Sequence, residues 1–173
     1  MWKRIKRVLK HQWVDKADLN RAMPADLLKR LQAKIAVSEQ QHSGEIQIYA
    51  EAGLPLADLW SQVSTPQLIR QRALAIFSKT QVWDTANNNG VLIYLLLAEH
   101  SIEIVADRGL SQWVDPGEWQ RMLTRMSKAF QKGQFEEGLT QAINEVSTLL
   151  TTHFPLKEGA FNVNELTDQP VLG

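Results

Sequence analysis

The run Gly90-Val91-Leu92-Ile93-Tyr94-Leu95-Leu96-Leu97 constrains the fold more than any other part of this chain. It is apolar at almost every position and follows the turn-rich stretch Val82 to Asn89, which suits a buried strand. A strand that is apolar on both sides must be covered on both sides, so this segment is expected in the middle of a sheet. Glu45 to Glu51 and Ser101 to Asp107 instead alternate polar and apolar residues, the pattern of half-buried strands.

The connections between these strands set the topology. Ser64-Thr65-Pro66 combines a Ser or Thr cap with a proline in the first turn, and Leu68, Ile69, Ala73, Ile76 and Phe77 follow as one helical stripe ending near Thr80. A crossover of that length permits a parallel, right-handed connection between the first two strands. Glu99-His100 is short, so the second and third strands are expected to form an antiparallel hairpin. Ahead of the sheet, residues 15 to 42 offer Asp18 or Asn20 as caps and pass through Met23-Pro24. Leu27, Leu28, Leu31, Ile35 and Val37 then predict a long helix ending at His42-Ser43-Gly44, with Gly44 as its C′ residue. Two helices at about 118–131 and 135–152, separated by Gly133, complete the pattern. The expected fold is an α/β three-layer α/β/α sandwich around a small mixed sheet, formed by residues 15–155. Residues 156–173 read as a tail with little core content and no assigned structure.

A chain of 173 residues can bury enough surface to hold one such domain without a staple, and it contains no cysteine. Cysteine-ligated zinc, iron–sulfur clusters and thiol chemistry are therefore excluded. The net charge is zero but unevenly placed: Lys3, Arg4, Lys6, Arg7 and Lys10 crowd residues 1–13 without an acid, leaving an acidic remainder. Scattered basic residues in that remainder argue against a nucleic-acid partner. Residues 1–14 form a basic amphipathic head. Its interspersed charges do not match a secretory signal, and no apolar run approaches the roughly 20 residues of a membrane span. The chain is thus expected in the cytoplasm or at the inner surface of a membrane. Trp2, Ile5, Val8 and Leu9 at helical spacing leave two readings. Either Trp2, Ile5, Leu9 and Trp13 pack onto the domain, or Trp2, Lys3, Arg4, Lys6, Arg7 and Lys10 meet an anionic membrane surface or an acidic protein partner.

If the first two strands are parallel, Glu45, the loop Asp84 to Asn89, Asp107, Arg108 and Asp115 converge on one edge of the sheet. Oxygen donors of this kind suit a hard cation, calcium or magnesium, with Asp84, Asn88, Asn89, Asp107 and Asp115 as candidate ligands. The same residues also serve plainer purposes: Asn87-Asn88-Asn89-Gly90 is a tight-turn sequence, and Asp115 before Pro116 is a helix cap. His11, His42, His100 and His153 are dispersed at element ends and read as surface positions, so no zinc site is expected. No GxSxG, GxxxxGK[ST] or GxGxxG motif is present, which excludes the common hydrolase elbow and nucleotide sites.

Several motifs in order carry a family resemblance: Arg72-Ala73 through Phe77, Val82-Trp83-Asp84-Thr85, Asn88-Asn89-Gly90-Val91-Leu92-Ile93-Tyr94, Glu103-Ile104-Val105-Ala106-Asp107-Arg108-Gly109, and Phe130 with Gly133, Phe135 and Gly138-Leu139. Over roughly residues 20–155 the chain resembles the TPM domain. The resemblance implies an α/β/α sandwich, a divalent-cation site at the loop before the Gly-Val-Leu strand, and for some members a proposed phosphatase activity. Most members have Asp-Asn-Gly at that turn, whereas this chain has Asn88-Asn89-Gly90, an amide for a carboxylate. Two functions follow. One is a non-enzymatic interaction module with a weak cation site. The alternative is a metal-dependent phosphomonoester hydrolase in which Arg108 and Glu45 face the phosphate or partner and Asp84 or Asp107 acts as base or nucleophile.

Overall fold

Period-two alternation sends strand side chains to opposite faces, and here both faces are apolar enough to bury. The computed structural model describes residues 2–157, 159–160 and 162–173, with the side chain of Lys3 outside the described part. In chain order the elements are α1 (Trp2–Trp13), α2 (Lys16–Ala22), α3 (Ala25–Ser38), β1 (Ile46–Glu51), α4 (Leu56–Leu59), α5 (Thr65–Lys79), β2 (Val91–Leu96), β3 (Ser101–Ala106), α6 (Arg108–Ser111), α7 (Pro116–Gln131), α8 (Phe135–His153) and β4 (Val171–Leu172). The sheet has four strands in the order β3-β2-β1-β4. β1 runs parallel to β2 with Ile46 opposite Val91, β2 and β3 are antiparallel, and β4 lies parallel to β1. Every residue of β2 is buried, as expected for its central place.

Two apolar layers flank the sheet. Ile46, Ile48, Ala50, Val91, Ile93, Leu95 and Ile104 pack with residues of α2, α3, α7 and α8, including Leu31, Ile35, Phe130 and Val146. On the other face Tyr49, Leu92, Tyr94, Leu96 and Val105 meet Leu68, Ile69, Ala73 and Ile76 of α5 together with Val8 and Leu59. The three-layer α/β/α sandwich is thereby established.

Four local expectations are corrected. The helix predicted through residues 15–42 is two helices, because Pro24 holds Met23 out of the helical region (φ −125°, ψ 66°) and starts α3 afresh. Asp15 rather than Asp18 caps α2, and Asp18 closes a capping box by accepting from the Asp15 N–H. Gly44 lies beyond the end of α3 and is small because a Cβ there would strike Leu150. The tail is structured at its end: Val171 and Leu172 pair with Tyr49 and Ala50, which gives β1 a neighbour on its second edge, and Gln47 and Glu51 of β1 are buried rather than exposed.

The basic head forms α1, but it docks by residues other than those expected. Val8 and His11 are buried, whereas Trp2, Leu9 and Trp13 point into solvent. Arg7 donates to the carbonyls of Leu59, Ser61 and Val63, and Lys10 pairs with Glu99. Arg7 is therefore an internal anchor of the head. His11 and His42 are buried, not surface residues. His42 Nδ1 donates to Gly44 O and its Nε2 accepts from Ser38 Oγ, while burial pushes its pKa down and keeps the ring neutral.

Candidate functional site

Parallel pairing places Glu45 and Gly90 side by side: the Val91 N–H donates to Glu45 O at 2.8 Å. The antiparallel return of β3 brings Asp107 to the same end, where its N–H donates to Gly90 O at 2.9 Å. The Gly109 N–H donates to Asn88 O at 2.8 Å, so the loop before β2 and the turn after β3 are joined by backbone bonds. Close approach explains both glycines. A Cβ on Gly90 would collide with Val82 O, and one on Gly109 with the carbonyl oxygens of Asn87 and Asn88. Asn88 adopts φ 51°, a left-handed conformation that asparagine tolerates.

Side chains at this rim divide into satisfied and unsatisfied groups. Asn89 is fully buried, its backbone N–H donates to Thr85 Oγ1, and its Nδ2 donates to Ser43 O at 3.0 Å and to Ser43 Oγ at 3.3 Å. Asp107 accepts from the Arg108 N–H through Oδ1 at 2.7 Å. Arg108 turns its guanidinium onto Asn88 Oδ1, with contacts of 2.9 and 3.1 Å. Among the described residues, three buried side-chain oxygens find no donor: Asn89 Oδ1, Asp107 Oδ2 and Gln47 Oε1 in the second residue of β1. All three belong to strand ends or turns at the same end of the sheet. A cavity of about 480 Å³ at this end is lined by Asn87, Asn88, Arg108, Gly109, Ser111 and Gln112, the chain neighbours of Asn89 and Asp107 rather than those residues themselves.

The sequence-predicted ligands are not all brought together. Asn88, Asn89 and Asp107 share the stitched loops. Asp84 lies exposed in the preceding turn and is absent from the cavity wall. Asp115 caps α7 by accepting from the Gly117 N–H at 2.7 Å and lines a separate, adjoining cavity with Arg70, Glu103 and Trp119. Glu45 is at the rim but covered: Asn162 Nδ2 donates to its Oε1 at 2.9 Å and the Leu166 N–H to its Oε2 at 3.2 Å. Burial pushes its pKa up. Both Glu45 oxygens, expected to face a phosphate or a partner, accept from the tail, so the side chain latches residues 162–166 to the rim.

The tail also adds residues that the sequence pattern did not single out. Glu165 accepts from the Ala86 N–H, placing another carboxylate on the loop before β2. Asp168 lies with Glu39, Asn162 and Asn164 around a cavity of about 260 Å³. Glu39 accepts from the Ile46 N–H at 2.9 Å, and desolvation together with repulsion from Glu45 and Asp168 pushes its pKa up to about 8. Among the described residues, no three His, Asp or Glu side chains form a metal-binding group. The donors left without partners at the rim are one carboxylate oxygen and amide oxygens, hard but lightly charged.

A mixed sheet between helical layers, with polar loops joined at one end, defines an α/β domain. The TPM domain family model matches residues 17–149, and the chain belongs to this family. Among solved structures, the chain is similar to the BA42 protein of the psychrophilic bacterium Bizionia argentinensis, determined by NMR. The two share 26% identity with a TM-score of 0.71, over 86% of this chain and 94% of that one. A comparison with curated proteins returns no match. Among the described residues, no helix is long and apolar enough to cross a membrane.

Proposed function

We propose that this chain is a non-enzymatic TPM-type interaction module whose rim binds calcium or magnesium weakly and offers the occupied edge to a protein partner. The observation that carries the reading is the pair of buried, donorless oxygens Asn89 Oδ1 and Asp107 Oδ2 on loops bonded to each other. A buried acceptor without a partner costs about 1–3 kcal/mol and calls for a water or an ion. Each is a donor of the kind a hard cation takes, one a neutral carbonyl and one a carboxylate oxygen. Against hydrolysis at this place stands the engagement of Arg108, whose guanidinium is held by Asn88 Oδ1.

Melting of EDTA-treated protein with and without millimolar calcium or magnesium tests the reading. The expected result is a saturable rise of a few degrees that disappears in Asp107→Asn, a variant that retains the Oδ1 contact to Arg108 N. An unchanged melting temperature in the parent contradicts it. Cation-dependent turnover of an aryl phosphate that is lost in Asp107→Asn and Asp84→Asn moves the assignment to a hydrolase.

A further inference from the structure

We propose that the outward face of α1 docks on an anionic lipid surface. The helix has two faces with opposite fates. Val8, His11 and the anchoring Arg7 hold one face to the domain, and His11 fixes the seating. Its Nδ1 accepts from the Leu54 N–H at 3.0 Å, which leaves Nε2 protonated to donate to Glu99 Oε1 at 2.9 Å. On the other face Trp2, Lys6, Leu9 and Trp13 recur at spacings of four, three and four residues, one continuous stripe on a helix.

That stripe is the more apolar of the two and it faces solvent. Trp2 is 69% exposed, Leu9 50% and Trp13 83%. A helix folded only for its own domain turns its apolar stripe inward; this one turns Val8 inward together with a histidine and an arginine, and presents two indoles and Leu9 outward. The short helix α4 packs against α1, and Leu56 at its start and Trp60 just after its end are also about half exposed. Lys6 Nζ sits 5.8 Å from the centre of the Trp2 ring, so charge and indole occupy the same patch.

Charge complementarity identifies the occupant. α1 contains no acidic residue, and the remainder of the chain is acidic, so a negative surface attracts the head and repels the body, which orients the molecule on approach. Arg4 and Lys6 make no ion pair among the described residues and remain available for phosphate. Tryptophan beside lysine is the composition of the bilayer interface, where an indole places its ring among acyl chain ends and its N–H among headgroups. A fluid headgroup layer also accommodates large side chains spread over three turns of one helix, without a preformed pocket for each.

Flotation with vesicles of phosphatidylcholine alone, or of phosphatidylcholine with phosphatidylglycerol, tests the proposal on the full chain. EDTA is present throughout, so that the cation rim cannot bridge to lipid and failure here is separable from failure of the proposed cation binding. The parent is expected to float with the phosphatidylglycerol vesicles, to stay behind with neutral ones, and to be released by high salt. The triple variant Trp2→Ser/Leu9→Ser/Trp13→Ser, altered only at solvent-facing positions, is expected to keep its melting temperature and bind about tenfold or more weakly. A parent that does not float, or a triple variant that floats like the parent, overturns the proposal. So does a concentration-dependent dimer in sedimentation, abolished by the triple variant, without flotation of the parent; the stripe then belongs to a second copy.

Discussion

Strand β1 has a glutamate at each end, and the two ends are built on opposite principles. At the C-terminal end, Glu51 is met by Arg72 through both carboxylate oxygens and by the Tyr94 hydroxyl at 2.7 Å. Just beyond β2, Glu99 is met by Lys10 and His11. Each acid there has its own internal cation. At the N-terminal end, Glu39, Glu45, Glu165 and Asp168 receive amides and backbone N–H groups instead, and the guanidinium of Arg108 is drawn to Asn88. Negative charge is balanced by the chain at one end and left over at the other. The surplus is met partly by raising carboxyl pKa values, as at Glu39 and Glu45, and partly by leaving oxygens open to an outside cation.

The largest test breaks the closed end. Glu51→Ala strands Arg72 and the Tyr94 hydroxyl beneath the sheet, and removing one partner of a buried ion pair costs about 3–5 kcal/mol. Urea unfolding is expected to show this loss while calcium or magnesium binding at the far end persists.

Glu39→Gln sharpens the contrast through pH. The Glu39 carboxyl titrates at about 8 in the fold, against an ordinary 4.5 when unfolded. The fold binds its proton more tightly, so this contribution is complete below about pH 4.5 and drains away as pH rises to about 8. A neutral glutamine still accepts from Ile46 N and removes the repulsion with Glu45 and Asp168. Thermal melts are expected to coincide near pH 4.5 and to diverge toward pH 9, where the variant is the more stable. Parallel curves across that range mean that Glu39 is not carrying the surplus charge.

Asn89→Asp is a smaller change with two opposite consequences. The new carboxylate faces the Ser43 carbonyl that now accepts from Asn89 Nδ2, so the cation-free protein is expected to lose about 1–3 kcal/mol. It also adds a formal charge to the rim, so calcium is expected to recover more stability than in the parent. A variant with lower cation-free stability but no larger calcium response places the binding atoms elsewhere.

The sequence made the frame of the open end legible and left its closure hidden. The apolar run after Gly90 identified the central strand, and the crossover length gave the parallel pairing that brings Glu45, Asn89 and Asp107 together. Turn chemistry at Asn87 to Gly90 was readable in part: Asn88 takes the left-handed backbone that asparagine tolerates, whereas Gly90 is required by the close approach of Val82 O. The tail was not. Its strand is two residues long, and its hold on Glu45 passes through Asn162 and the backbone of Leu166, contacts across more than a hundred residues that leave no periodic trace. The same is true of Arg7, whose partners are carbonyls of a loop 52 to 56 residues away. Pro24 did carry a visible signal, and its effect on Met23 split the helix that apolar spacing alone extended.

The central claim is that the open end takes up a cation because its oxygens lack donors, and a calcium titration followed by amide NMR spectra addresses it directly. Saturable shifts confined to Asn88–Gly90 and Asp107–Gly109, with the amides around Glu51 and Arg72 unmoved, are the expected result. Shifts that never saturate, or that spread equally over both ends of β1, contradict the account.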